Sequence, residues 1–136
     1  MIKPIMKSEF FLRLPSEDAG PDDAATGQDL LDTLLEHEHE CVGLAANMIG
    51  VRKRIICVED GNRALLMYNP QILEQVNAYQ TSEGCLSLIG ERPCTRYRRI
   101  KVEYLDENFV HRIKNFSGYT AEIIQHEIDH CCGIVV

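Results

Sequence analysis

Residues Ile123-Ile124-Gln125-His126-Glu127-Ile128-Asp129-His130 carry H-E-x-x-H inside an apolar stretch with helical spacing. At about 100° per residue, positions four apart are offset by only about 40° around a helix. His126 and His130 can therefore grip one ion from one face, and Glu127 stands where a carboxylate can handle the proton of a metal-bound water. Two solvated histidines on a polar face would spell the same letters, but Ile123, Ile124 and Ile128 argue for a partly buried helix. A catalytic site of this type uses three protein ligands and an open position. Only Cys131, Cys132, Gly133, Ile134, Val135 and Val136 follow His130, and a side chain directly after His130 points about 100° away from the metal face. The third ligand is expected mainly from upstream, with Cys131 and Cys132 as poorly placed alternatives.

Working outward, 136 residues suit one domain with one modest core, here residues 1–136. The chain is 45% hydrophobic and 26% charged, which argues against disorder. A net charge of −7 speaks against nucleic-acid binding, which needs clustered Lys and Arg. The one basic cluster, Arg92, Arg96, Arg98, Arg99 and Lys101, alternates with apolar residues and reads first as the polar side of a strand, and only weakly as a site for an acidic partner. No apolar run approaches 18 residues, so no membrane-spanning helix is expected. The N-terminus lacks the pattern of a signal peptide. The six cysteines then read as reduced thiols of a cytoplasmic protein, most of them core residues.

Residues 1–25 read as an irregular arm. Thr26 followed by Asp29 resembles a capping box, and Leu30, Leu31, Leu34 and Leu35 predict a helix over about 27–40, closed by Gly43. Strands are predicted at 54–59 and 64–68, joined at Asp60-Gly61-Asn62, with Asn69-Pro70 ending the second. Further strands are predicted at 72–79, 100–105 and 109–116. Ser117 then caps the H-E-x-x-H helix, with Phe116 and Ala121 as a hydrophobic staple and Gly133 as its stop. Helix, strands, helix implies an α+β domain.

Two other segments bear on chemistry. In Glu83-Gly84-Cys85-Leu86-Ser87, Gly84 allows close backbone approach and Cys85 can serve as a thiolate ligand. Taken alone, Cys85 reads better as a core cysteine after a turn glycine. Gly43-Leu44-Ala45-Ala46-Asn47-Met48-Ile49-Gly50 suggests a tightly packed backbone segment, and it has neither a P-loop ending nor a dinucleotide fingerprint.

G-L-A-A, E-G-C-L-S and Q-H-E-I-D-H in this order resemble the peptide deformylase family, from about residue 26 onward. The resemblance implies an α+β fold with antiparallel β-sheets packed around the C-terminal H-E-x-x-H helix. It implies that Cys85, His126 and His130 hold one divalent metal, Fe²⁺ with Zn²⁺ or Ni²⁺ as substitutes. It makes Glu127 the general base and acid, and the backbone N–H of Leu86 a donor to the developing oxyanion. Val42, Gly43, Glu122 and Ile123 are then expected to contact the substrate. The implied reaction removes the N-formyl group from the starting methionine of nascent chains, so the implied partners are formylated peptide N-termini.

The chain departs from the family at four points. Cys41 replaces a glycine, and Met48 stands where the family places a glutamine whose amide donates to the oxyanion; a thioether cannot donate. Glu122 shares a helix face with His126 and His130 where family members place an apolar residue, and it either enters the methionine pocket or merely favours the helix N-terminus. The long C-terminal extension that docks some relatives on the ribosome is absent from this sequence, so that partner is not carried over. A deformylase-like protein that keeps the metal but binds peptides without turnover is the alternative reading. An unrelated zinc peptidase is disfavoured by E-G-C-L-S.

Overall fold

Leu30 and Leu34 lie on the buried face of helix α2, Ala24–Glu36, in the computed structural model, which describes residues 1–136. The helix starts and ends earlier than predicted. Thr26 and Asp29 fall inside it and form no capping box; instead the Asp23 carboxylate accepts the Gly20 N–H at 2.9 Å. At the other end His37 donates back to the carbonyls of Thr33 and Leu34. Gly43 is therefore not the helix stop but the first residue of a strand. The preceding arm is not wholly irregular, since Ser8 caps one short turn, α1, Glu9–Leu12, whose Leu12 is fully buried.

The strands form a single antiparallel sheet in meander order β1-β2-β3-β4-β5. They span Gly43–Ala45, Ile55–Asp60, Arg63–Cys85, Leu88–Leu105 and His111–Ser117. The turn at Gly61 is as predicted, with φ +66°. Asn69-Pro70 does not end the strand. The register shifts between Tyr68 and Gln71, Asn69 takes φ +53°, and the chain continues. A bulge is one place where a strand accepts a proline, because the missing N–H is not needed there. The predicted segments 64–68 and 72–79 and the E-G-C stretch are thus one bent strand of 23 residues.

Ile55, Ile56, Cys57 and Val58 are all fully buried. Successive strand residues point to opposite faces, so both faces of β2 are covered. One core cluster joins Leu30 and Leu34 of α2, Met67 and Tyr68 of β3, Val102 of β4 and Ile124 of helix α3, Gly118–Cys131. Ser117 occupies the cap position of α3 in extended backbone, but its hydroxyl makes no cap bond. Gly133, at φ +76°, closes the helix as predicted and donates to the His130 carbonyl. Gln125 ties α3 to the sheet, since its Oε1 accepts the Tyr97 N–H and its Nε2 donates to the Tyr97 carbonyl, both at 2.8 Å. All six cysteines are free; Cys57 and Cys131 are buried, while Cys132 is exposed.

Candidate active site

α3 enters the core with His126, Glu127 and His130 all buried, and their ligand atoms lie within 4.8 Å of one another. The imidazoles meet Nε2 to Nε2 at 3.1 Å. Two histidine nitrogens about 2.0–2.1 Å from one tetrahedral ion stand roughly 3.4 Å apart, so the pair is close to ligand spacing. Burial, with help from His126 and Arg96, pushes His130 down to about 3, which keeps it neutral as a ligand must be. The Oε1 of Glu127 is buried with no hydrogen-bond partner, as is Nδ1 of His130. Such orphaned polar atoms are costly unless a ligand or water engages them. The donor set and its unsatisfied atoms fit a divalent metal.

His126 is oriented through its other nitrogen. Its Nδ1 lies 2.7 Å from Glu83 Oε1, the carboxylate–histidine arrangement that fixes ring orientation at metal sites. Glu83 is itself clamped by Arg96, whose Nη2 and Nε donate to it at 2.7 and 3.1 Å. The Nη1 of Arg96 reaches Asp129 on α3 at 2.7 Å. Burial pushes the Glu83 carboxyl up, yet the bonds from His126 and Arg96 outweigh it and hold it well below the usual range. Arg96 is therefore a correction to the solvated strand face expected of the basic cluster: it is buried at the join of β3, β4 and α3, while Arg98 and Arg99 stay exposed. Nothing in the alternation singles it out, because it shares parity with the half-buried Arg92 and the exposed Arg98, and its partners lie 13 and 33 residues away.

A cleft of about 750 Å³ opens on this cluster, and Val42, Gly43, Met48, Cys85, Leu86, Glu122, Ile123, His126 and Glu127 all line it. His130 sits behind, fully buried. Cys85 ends β3 two residues after the anchored Glu83 and stands on the cleft wall, outside the close group formed by His126, Glu127 and His130. Leu86 follows in the turn to β4, its carbonyl accepting Lys7 Nζ at 2.8 Å. Gly43 needs to be glycine for space, because a Cβ there would lie 2.7 Å from Ile123 Cγ2 and 2.9 Å from Glu127 Oε2. Burial pushes Glu127 up to about 7, with His126 pulling down and Glu83 pushing up.

Glu122 lines the cleft rather than pointing away from it, and it accepts the Tyr79 hydroxyl at 3.2 Å. Its carboxyl also lies against Glu83, and that hydrogen bond, followed by burial, raises its pKa. Met48 is 1% exposed, and its sulfur accepts the Ala45 N–H at 3.5 Å. Asn47 does not take over as a donor to the cleft: its Nδ2 is spent on the His130 carbonyl at 2.9 Å. It braces the end of α3, a role its neighbourhood in sequence gave no sign of.

A family model described as polypeptide deformylase matches residues 4–136. The chain belongs to the peptide deformylase family. It is 52% identical over 136 residues, the full length of both chains, to a peptide deformylase of Clostridium beijerinckii. It is 38% identical over 111 residues to peptide deformylase 1 of Clostridium perfringens, covering 79% of this chain and 74% of that one. Among solved structures, an actinonin-bound class I type b peptide deformylase from Acinetobacter baumannii superposes with a TM-score of 0.87 at 31% identity, over 99% of this chain and 95% of that one. The peptide deformylase of Thermotoga maritima gives 0.89 at 28% identity, over 99% and 95%. The three sequence motifs are thus those of a deformylase, a metal-dependent hydrolase that removes the formyl group from nascent peptides. No helix is long and apolar enough to cross a membrane.

Proposed function

We propose that this deformylase works in the cytoplasm with one Fe²⁺ per chain, replaceable by Zn²⁺ or Ni²⁺, held by His126, His130 and Cys85. The single observation that carries the reading is the Nε2 to Nε2 approach of the two histidines beside a buried carboxylate oxygen that has no partner. The bound ion supplies Lewis acidity toward the formyl oxygen and a water of lowered pKa. The protein supplies the rest. Glu83, fixed by Arg96, holds His126 in one orientation, and burial keeps His130 neutral.

Glu127 takes the proton from the attacking water and returns it to the leaving amine, using the Oε1 that has no competing partner. Gly43 leaves the space in which that carboxylate sits. The Leu86 backbone N–H donates to the oxyanion as charge builds, while Met48 cannot. Val42, Gly43, Glu122 and Ile123 line the space for the methionine end of the peptide. The Glu122 carboxyl in that lining is held by the Tyr79 hydroxyl at 3.2 Å.

The ligand assignment is tested by metal content. Protein loaded anaerobically with Fe²⁺ is expected to retain one ion per chain after desalting, and Cys85→Ala to lose most of it. Equal retention by the variant means that Cys85 is not a ligand.

A further inference from the structure

Two consecutive residues of the N-terminal arm reach two segments of the cleft wall. The Met6 N–H donates to the Met48 carbonyl at 2.7 Å, and Lys7 Nζ donates to the Leu86 carbonyl at 2.8 Å. Met48 and Leu86 both line the cleft, and both bear on the oxyanion. The thioether of Met48 cannot donate to it, which leaves the backbone N–H of Leu86.

The position of Lys7 is set from both sides. Before it, Ile5 and Met6 pack against the core, and the Lys3 N–H donates to Thr33 Oγ1 of α2 at 3.0 Å. After it, Ser8 caps α1, accepting the Phe11 N–H at 3.2 Å, and Glu9 pairs with Arg92 of β4 at 3.6 Å. With the backbone held on either side, only the Lys7 side chain remains to be ordered, so its exposed contact costs less entropy than one made from a loose arm. Leu86 stands outside the ladder, in the turn that Cys85 and Leu88 close just after the register shifts at Glu83. Its N–H and C=O flank one Cα with two soft torsions, so fixing the direction of the carbonyl restricts where the N–H points.

We propose that Lys7 is a positioning residue for the oxyanion donor: by holding the Leu86 carbonyl, it aims the Leu86 N–H. This rests on the deformylase reading of the site. Lys7 does not itself line the cleft, so it acts through Leu86. A misaimed donor is weakened and not removed, so the expected loss is about tenfold, short of the roughly 10²–10³ that deleting a donor costs. The loss falls on kcat, because the N–H engages charge that builds only in the transition state.

The test compares wild type, Lys7→Met, which removes the donor, and Lys7→Arg, which restores one. Each is assayed for kcat and KM on formyl-Met-Ala-Ser with one Fe²⁺ per chain, and the Leu86 amide NMR signal is recorded on the Zn²⁺-loaded proteins. Lys7→Met is expected to lower kcat about tenfold with KM and iron content unchanged, and to shift or broaden the Leu86 signal. Lys7→Arg should recover both. A kcat for Lys7→Met equal to that of wild type, a loss that Lys7→Arg does not reverse, a loss carried by KM or iron content, or an undisturbed Leu86 signal overturns the proposal. A Leu86 signal disturbed in Lys7→Met and restored in Lys7→Arg, with no turnover of formyl peptide by loaded wild type, supports the hold of Lys7 on Leu86 and instead defeats the deformylase reading.

Discussion

Met48→Gln bears most directly on how this chain differs from the pattern of its family. Met48 is buried and lines the cleft, and its sulfur already receives the Ala45 N–H at 3.5 Å. Glutamine has nearly the same length. Its Oε1 can take over the Ala45 bond, which turns Nε2 toward the cleft as a donor. One oxyanion donor is worth about 10²–10³ in kcat, or roughly 2.7–4 kcal/mol of transition-state stabilisation. The gain belongs in kcat, because the contact strengthens only as charge builds on the oxygen. Any amide hydrogen left unpaired in the free protein costs about 1–3 kcal/mol of stability, so a lower Tm is expected alongside the faster rate. The assay is formate release from a formyl-Met peptide by parent and variant at matched metal occupancy. A kcat within twofold of the parent, with fold and metal intact, refutes the reasoning and shows that another group already stabilises the oxyanion.

Gly43→Ala is expected to cut kcat by at least about tenfold while leaving metal content unchanged. Its methyl group would press on Glu127 and Ile123, and small displacements of a catalytic group are costly; an unchanged kcat means Glu127 has room to spare. Arg96→Met strands the buried Glu83 carboxylate and should cost about 3–5 kcal/mol, seen in denaturant melts. Adding Glu83→Gln should recover part of that loss, and no recovery means that the pair is not the origin of the penalty.

The H-E-x-x-H helix, its glycine stop and the paired histidines were legible because each is a local pattern: a spacing of four, a run of isoleucines, a left-handed residue at the helix end. The α+β class followed from the order of such patterns. What was not legible depends on contacts across the sheet. Arg96 reads as one more surface arginine until β3 and β4 pair and α3 lands on them, placing Glu83 and Asp129 on either side of it. Asn69-Pro70 carries the letters of a turn, and only the bulge where β3 passes from pairing with β2 to pairing with β4 lets the chain run through. The boundary of α2 was misread for a similar reason. Thr26 and Asp29 satisfy a capping pattern, but Asp23 binds Gly20 first, and Gly43 is required by Glu127, which lies 84 residues further along.

The account's central claim is that Glu127 moves the proton in a metal-dependent deformylation. It is tested most directly by anaerobic formate release from formyl-Met-Ala-Ser by wild type and Glu127→Gln, each carrying one Fe²⁺ per chain. The amide keeps the shape of the side chain and removes the proton acceptor. The account predicts steady formate release by wild type and a loss of at least about 10²-fold in the variant, with iron content equal. Formate release by the variant within a few-fold of wild type, or none by fully loaded wild type, would contradict it.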